Sequence, residues 1–112
     1  MGINSREKGT RGERDVARYL REHGFEARRG QQFCGANGDP DVVGIPGVHI
    51  EVKRVERLNI DNAMEQSTND ARDGEMPIVI HRKNGKKWLV TMTIDDFIRL
   101  YKDGCCGKDS LL

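Results

Sequence analysis

The sequence of 112 residues is poor in aromatic side chains and cysteines and has no long hydrophobic run. Aromatic residues make up only 5% of the chain, which argues against binding single-stranded nucleic acid by stacking bases on aromatic rings. No apolar stretch approaches the ~20 residues that span a bilayer. The three cysteines are Cys34, Cys105 and Cys106. They form no C-x-x-C pair and no even set for disulfides, so we expect free thiols in a reducing compartment.

The length and composition indicate one soluble globular domain. Hydrophobic residues make up 36% and charged residues 33% of the chain, a balance that is typical of a folded domain with a highly charged surface. We expect a single domain over residues 1–112, with residues 1–9 as a basic arm and residues 103–112 as a frayed tail. The first residues have no hydrophobic stretch like that of a secretory signal, so we expect a cytoplasmic protein.

The net charge of +1 is distributed unevenly along the chain. Residues 1–32 contain eight basic and five acidic side chains, residues 33–76 four basic and nine acidic, and residues 77–112 seven basic and four acidic. An acidic middle between basic ends is expected where a carboxylate-rich metal site lies between phosphate-binding surfaces. Ordinary scatter of solvated charges gives similar patterns, so the distribution alone decides nothing.

Hydrophobic periodicity predicts the order helix, three strands, helix, two strands, helix. The first helix is predicted from Thr10 to about His23, with Thr10 as N-cap, Glu13 completing a capping box and Gly24 ending the helix. The second is predicted from Asn59 or Asp61 to about residue 73. The third covers residues 94–102. It begins after Thr93 and has an apolar side formed by Ile94, Phe97, Ile98 and Tyr101.

The predicted strands cover residues 25–29, 41–45, 48–54, 77–81 and 87–92. Residues 30–39 are glycine-rich and are predicted to form a loop. The dipeptide Asn84-Gly85 is the strongest hairpin signal in the chain.

A pair of carboxylates is predicted to meet on neighbouring strands. Alternation along residues 48–53 places His49, Glu51 and Lys53 on one face and the apolar residues on the other. A turn centred on Pro46 would place Asp41 directly opposite Glu51, with Cβ atoms ~4.5–5.5 Å apart. Two carboxylates at this distance repel each other unless a cation such as magnesium lies between them. A register slip of one residue would separate them, and an isolated E-x-K strand is more often a solvated face.

Glu13 is a third candidate acid, because it precedes Ala17 and Leu20 at helical spacing and shares their buried stripe. A carboxylate on the buried side of a helix needs a compensating partner. The alternative is that Glu13 only completes the capping box or pairs with a surface arginine.

Four phrases of the sequence together closely resemble the PD-(D/E)xK nuclease superfamily, and in particular its Holliday junction resolvase-like branch. These are Lys8-Gly-x-x-Gly-Glu13-Arg14, Gly38-Asp-Pro-Asp41, Glu51-Val-Lys53 and Gln66-x-x-x-Asp70. The resemblance covers roughly residues 8–98. It implies an α/β fold with a mixed sheet (α+β). The expected core is the restriction-endonuclease-like αβββαβ core, in which helices flank a central mixed sheet.

The resemblance also implies roles for the site residues. Asp41 and Glu51 would bind the metal together with the backbone carbonyl of Val52. Glu13 would help to hold it, directly or through water. Lys53 would activate the attacking water or neutralise developing charge. Gln66 matches a glutamine that lines such sites, although a helix-surface amide is an equal alternative. The expected cofactor is Mg²⁺, with Mn²⁺ as an alternative, and the number of ions stays open.

DNA is the expected partner, as a branched or continuous duplex held by its backbone. The candidate phosphate-binding residues are Arg6, Lys8, Arg11, Arg28, Arg29, Arg82, Lys83, Lys86 and Lys87. A four-way junction is two-fold symmetric and is nicked on two strands, so we expect an isologous homodimer with two sites.

Other functions stay open from the sequence. They are a nuclease of flaps, nicks or general duplex, a DNA-binding protein of this fold that does not cleave, and an RNA-processing nuclease. The last would not use this set of carboxylates. A phage or mobile-element origin fits a free-standing nuclease of this size.

Overall fold

The computed structural model describes residues 5–30 and 39–106, with side chains over residues 9–30 and 39–104. The helices are α1 (Ser5–Glu22), α2 (Ile60–Asp70) and α3 (Ile94–Tyr101), and a π-helical turn (Lys102–Cys106) follows α3. The strands are β1 (Arg28–Arg29), β2 (Val42–Val43), β3 (Val48–Arg54), β4 (Met76–Arg82) and β5 (Leu89–Thr91). In the described part of the chain, no helix has the length and hydropathy that crossing a membrane requires.

The five strands form one mixed sheet in the order β1-β2-β3-β4-β5. Strands β3 and β4 are parallel, and α2 is the crossover between them, whereas the other neighbouring pairs are antiparallel. The chain therefore runs through an αβββαβ core before β5 and α3 are added. This order confirms the predicted fold class.

Alternation along β3 assigns its two faces to different helices. Ile50 and Val52 pack with Val16 and Ala17 of α1 in the main hydrophobic core. The opposite face of the sheet meets α2, where the Ser67 hydroxyl donates to backbone carbonyls of β3 and β4. Because helices cover both faces, polar residues of β3 are buried as well as apolar ones.

The register of β2 on β3 agrees with the prediction. Val42 pairs with Ile50, so Asp41, one residue earlier, lies across from Glu51. The amide of Asp41 donates to the carbonyl of Ile50 at 2.8 Å. A turn centred on Pro46 therefore explains both the register and the position of the two carboxylates.

Helix α1 begins earlier than the sequence indicated. It starts at Ser5, so the prediction of a loose arm over residues 1–9 is wrong from Ser5 onward, and residues 1–4 lie outside the described residues. Thr10 lies inside the helix and is not its N-cap, so the capping-box interpretation of Glu13 is also wrong. Residues 5–9 lack apolar periodicity, but Arg, Glu and Lys are good helix formers that extend a helix without burying a face. The helix ends at Glu22, and Gly24 follows with a positive φ of 95°, as predicted.

The ends of other elements also differ from the prediction. Helix α2 is capped by Asn59, the first of the two predicted starts, but ends at Asp70 and not near residue 73. The tail was predicted to fray from Asp103, whereas the chain continues in the π-helical turn to Cys106. Residues 107–112 lie outside the described residues, as do residues 31–38, which contain most of the predicted glycine-rich loop and Cys34.

Helix α3 begins after the cap of Thr93, as predicted, but none of its eight residues is buried. Its predicted apolar side is solvent-exposed: Ile94 is 72%, Phe97 53%, Ile98 44% and Tyr101 51% accessible. Its main contacts with described elements are with the π-helical turn that follows it. The periodicity thus predicted the helix correctly but did not predict what covers it.

Candidate active site

One cleft of about 550 Å³ contains Lys53 and the three acids that were predicted to hold the metal, Glu13, Asp41 and Glu51. It lies between α1, β3 and the C-terminal half of α2. The lining residues are Gly9, Glu13, Asp41, Glu51, Val52, Lys53, Arg54, Val55, Glu56 and Gln66. Side chains from four separate segments therefore meet in one cleft.

Asp41 and Glu51 form the acidic centre of the cleft. Glu51 is 2% and Asp41 9% accessible, and the amide of Val52 donates to Oδ2 of Asp41 at 2.8 Å. Burial raises the pKa of Glu51 to about 8, and the charge of Asp41 and a hydrogen bond with it act in the same direction. Without a cation, Glu51 therefore favours its protonated form, and a divalent ion can replace that proton.

Glu13 reaches the cleft from the buried side of α1. Its Oε1 accepts a hydrogen bond from Nε of Arg29 at 3.0 Å. Burial and the charge of Asp41 raise its pKa, whereas Arg29 and Lys53 lower it. Arg29 is thus the compensating partner that a buried carboxylate requires. Close packing of α1 places Glu13 here, because a Cβ at the neighbouring Gly12 would lie 3.3 Å from Cβ of Arg54.

Lys53 and Gln66 complete the predicted set. The charge of Lys53 acts on both Glu13 and Glu51 and lowers the pKa of each. Gln66 donates from Nε2 to Oε1 of Glu51 at 3.3 Å. Of the two interpretations of Gln66, this contact favours the site residue over the surface amide.

Two further residues surround Glu51 that were given no role from the sequence. His49 is fully buried, and its Nε2 lies 2.9 Å from Oε2 of Glu51. Asp70, at the end of α2, is close enough for its charge to act on Glu51. Strand alternation had already placed His49 on the face of Glu51, and Asp70 belonged to the Gln66-x-x-x-Asp70 phrase. Only the position of α2 brings the two residues together.

The candidate phosphate-binding residues lie in several environments. Arg82, Lys83, Lys86 and Lys87 line an apolar groove of about 650 Å³, which shares Val55 and Glu56 with the cleft. Arg82 is already stacked on Trp88, 5.1 Å from the ring centre, and bonded to the carbonyl of Lys86.

The basic residues of the first half are also dispersed. Arg11 and Arg28 are exposed, whereas Arg29 is paired with Glu13. Arg6 and Lys8 belong to α1, but their side chains lie outside the described residues. The cleft also contains Arg54, which was not among the predicted phosphate ligands. The motif includes its neighbour Lys53 but not Arg54 itself.

The donor set fits a divalent cation. Asp41, Glu51 and Glu13 offer carboxylate oxygens in a buried cleft, and oxygen ligands are those that Mg²⁺ and Mn²⁺ prefer. Val52 lines the same cleft. The pKa of Glu51 is raised because burial and the neighbouring Asp41 both disfavour its charge. This is expected of a metal ligand whose ion is absent.

Comparisons with known proteins agree with this geometry. Residues 4–104 match the family described as "Phage putative PDDEXK endonuclease". The chain is similar in structure to Hjc, a Holliday junction resolvase from the archaeal hyperthermophile Archaeoglobus fulgidus, with a TM-score of 0.58 and 30% sequence identity. This similarity covers 75% of this chain and 76% of that chain. No curated protein sequence matches the chain. The range that matches the family includes every residue of the cleft.

Proposed function

The chain belongs to the phage PDDEXK endonuclease family, and from this membership we propose that it is a divalent-metal-dependent, structure-selective DNA endonuclease that resolves Holliday junctions. Its fold is the restriction-endonuclease-like fold of the similar archaeal resolvase. The family description also supports the expected phage origin, and the cytoplasmic location stays a prediction.

The observation that carries the proposal is the register of β2 on β3. It holds Asp41 opposite Glu51 in a cleft that also contains Lys53. A DNA-binding module has no need of clustered buried acids next to phosphate, because they repel the backbone. The cluster therefore favours cleavage over binding alone.

The residues divide the chemistry between them. Asp41, Glu51 and the carbonyl of Val52 would hold Mg²⁺, with Glu13 completing the site, and Mn²⁺ would fit the same ligands. A bound divalent ion supplies an acidified water and offsets charge on the phosphate. Lys53 orients the attacking water or stabilises the charge that grows on the nonbridging oxygens. Gln66 positions Glu51 through its hydrogen bond.

The substrate is proposed as duplex DNA with a branch. The groove lined by Lys83, Lys86 and Lys87 continues from the cleft and offers positive charge to the phosphate backbone. The similarity to a Holliday junction resolvase favours the four-way junction over flaps and nicks.

We further propose that the protein acts as a homodimer. A four-way junction is cut symmetrically on two strands, whereas one described chain contains one such cleft. Two copies related by a two-fold axis would present two sites. The exposed apolar side of α3 supports this proposal, because a helix of only eight residues is marginal in water without a covering partner.

One experiment tests the nuclease assignment. Purified protein is incubated with a labelled four-way junction, a flap, a linear duplex and an RNA hairpin, in Mg²⁺ or in EDTA. We expect paired nicks in the junction that require Mg²⁺. Asp41→Asn should abolish nicking and leave junction binding unchanged or tighter, because it removes a negative charge near phosphate. Lys53→Met should lower turnover about 100-fold or more with little effect on binding.

The matched control is Asp61→Asn, which changes an exposed acid in the first turn of α2 and should cut like the wild type. Equal cleavage of all duplexes would indicate a general nuclease. Binding without cleavage in either Mg²⁺ or Mn²⁺ would identify a non-cleaving protein of this fold, and cleavage of RNA alone would contradict the DNA assignment.

A further inference from the structure

Glu51 has acidic neighbours on two elements. Asp41 approaches it from the start of β2, and Asp70 approaches it from the last residue of α2. The proposed nuclease site uses Asp41 and leaves Asp70 without a role. A single ion bound between Asp41 and Glu51 would leave the repulsion between Glu51 and Asp70 in place. The side of Glu51 that faces α2 therefore also favours a cation.

A cation on this side could be held by His49, Glu51 and Asp70. Each contributes one potential ligand atom, and these atoms all lie within 4.8 Å of one another. Around an ion with bonds of ~2.1 Å, ligand atoms are about 3 Å apart when adjacent and about 4.2 Å apart when opposite. The three side chains therefore have to move closer together to share an ion, and their ligand atoms lie near enough for a side-chain adjustment to do so.

The second nitrogen of His49 supplies an independent observation. Its Nδ1 is buried and has no hydrogen-bond partner among the described residues, and Oε1 of Glu75 lies 3.8 Å from it. A histidine that binds metal through one nitrogen almost always donates its other N–H to a carboxylate or carbonyl. Glu75 lies on the side of Nδ1 and can take the place of that carboxylate. Nε2 faces Oε2 of Glu51 at 2.9 Å and would bind the ion in place of that contact.

We propose that His49, Glu51 and Asp70 form a second divalent-cation site, which shares Glu51 with the nuclease site and selects an ion that accepts a nitrogen ligand, such as Mn²⁺ or Zn²⁺. Imidazole distinguishes this site from the all-oxygen site around Asp41, since Mg²⁺ prefers oxygen ligands. This inference rests on the proposed function only through the shared ligand Glu51.

Mn²⁺ is the probe for the experiment, because it is paramagnetic and accepts both oxygen and nitrogen ligands. Isothermal titration calorimetry and electron paramagnetic resonance count the bound ions on the full-length protein. We expect two Mn²⁺ per chain in the wild type and one in Asp70→Asn, with the affinity of the lost site reduced at least tenfold. Pulsed electron paramagnetic resonance should show nitrogen coupling to Mn²⁺ in the wild type and none in His49→Leu.

The matched control is Asp73→Asn, an exposed acid three residues beyond Asp70, which should still bind two ions. Asp70→Asn keeps the test decisive if His49→Leu fails to fold. One bound ion that is insensitive to Asp70→Asn, or two ions without nitrogen coupling, would overturn the second site and leave the nuclease assignment standing. A wild-type protein that binds no divalent ion would overturn both.

Discussion

Glu51 is a buried acid whose charge depends on its surroundings. Its pKa is raised from 4.5 to about 8, mainly by burial and next by Asp41. In the unfolded chain the same group ionises near its ordinary value. Between these two values the folded state binds more protons than the unfolded state, so the free energy of unfolding falls as the pH rises through this range. Stability from this group is complete below the unfolded pKa and is lost by about pH 8.

We therefore expect the protein in EDTA to lose stability from pH 7 to about pH 8 and then to level off. This window avoids His81, whose lowered pKa gives the opposite slope at more acidic pH. Saturating Mg²⁺ should remove most of the fall, because the ion takes the place of the proton. Urea denaturation at closely spaced pH values, with and without Mg²⁺, measures the effect.

The variant Glu51→Gln should remove most of the slope in EDTA, whereas Glu65→Gln, on the exposed side of α2, should keep it. Any slope that Glu13 adds has the same sign, because its pKa is also raised. An unchanged slope in that variant would show that another group causes the pH dependence.

At the scale of single residues, the sequence predicted the positions of the acids better than the residues that contact them. Asp41 and Glu51 could be paired in advance, because strand alternation and the turn at Pro46 together define a register. The approach of Asp70 to Glu51 and the contact of Arg29 with Glu13 could not be derived. They depend on where α2 and α1 pack, which local periodicity does not specify.

The β1–β2 pair brings Asp41 to the cleft, and its backbone leaves no room for a side chain at Gly44. Gly44 has a φ of 105°, and a Cβ there would lie 2.2 Å from the carbonyl oxygen of Glu26. Both the positive φ and the backbone contact exclude a side chain. We expect Gly44→Ala to lower the free energy of unfolding by about 2 kcal/mol or more.

Gly47→Ala is the matched control, because Gly47 also has a positive φ, 84°, but a Cβ there would meet nothing within 4 Å. It should cost only the strain of the backbone conformation, about 1 kcal/mol. Chemical denaturation of both variants separates the two contributions. Equal losses would mean that the approach to Glu26 is not the constraint.

Elements were predicted well where an apolar stripe or a cap marks them. Asn59 and Thr93 both cap helices as expected, because each satisfies free amides of the first turn. The first turns of α1 could not be predicted, since they have no apolar stripe to reveal the period. The short β1 was overestimated, because its pairing covers only Arg28 and Arg29.

For the whole molecule, the unanswered question of the sequence is what α3 packs against. Its apolar side is exposed along Ile94, Phe97, Ile98 and Tyr101. If each of these four side chains exposes about half of roughly 200 Å², they offer about 400 Å² per chain. A standard interface buries about 800 Å² per partner, so the apolar side of α3 can supply about half of a two-fold contact with a second copy.

We therefore expect a dimer at micromolar concentration by analytical ultracentrifugation, and we expect Phe97→Ala to weaken it. Truncating a central aromatic side chain at an interface costs about 2 kcal/mol, or roughly 30-fold in the dissociation constant. Arg99→Ala, on the polar side of the same helix, is the matched control and should dimerise normally.

A dimer held by α3 also predicts a functional effect. At low concentration Phe97→Ala should nick junctions on one strand at a time, because each cleft stays intact while the second cleft of the dimer is lost. The dimer would be contradicted if the wild-type protein sedimented only as a monomer, with and without a junction. The apolar side of α3 would then bind another partner, and paired nicking would need two independent encounters with the junction.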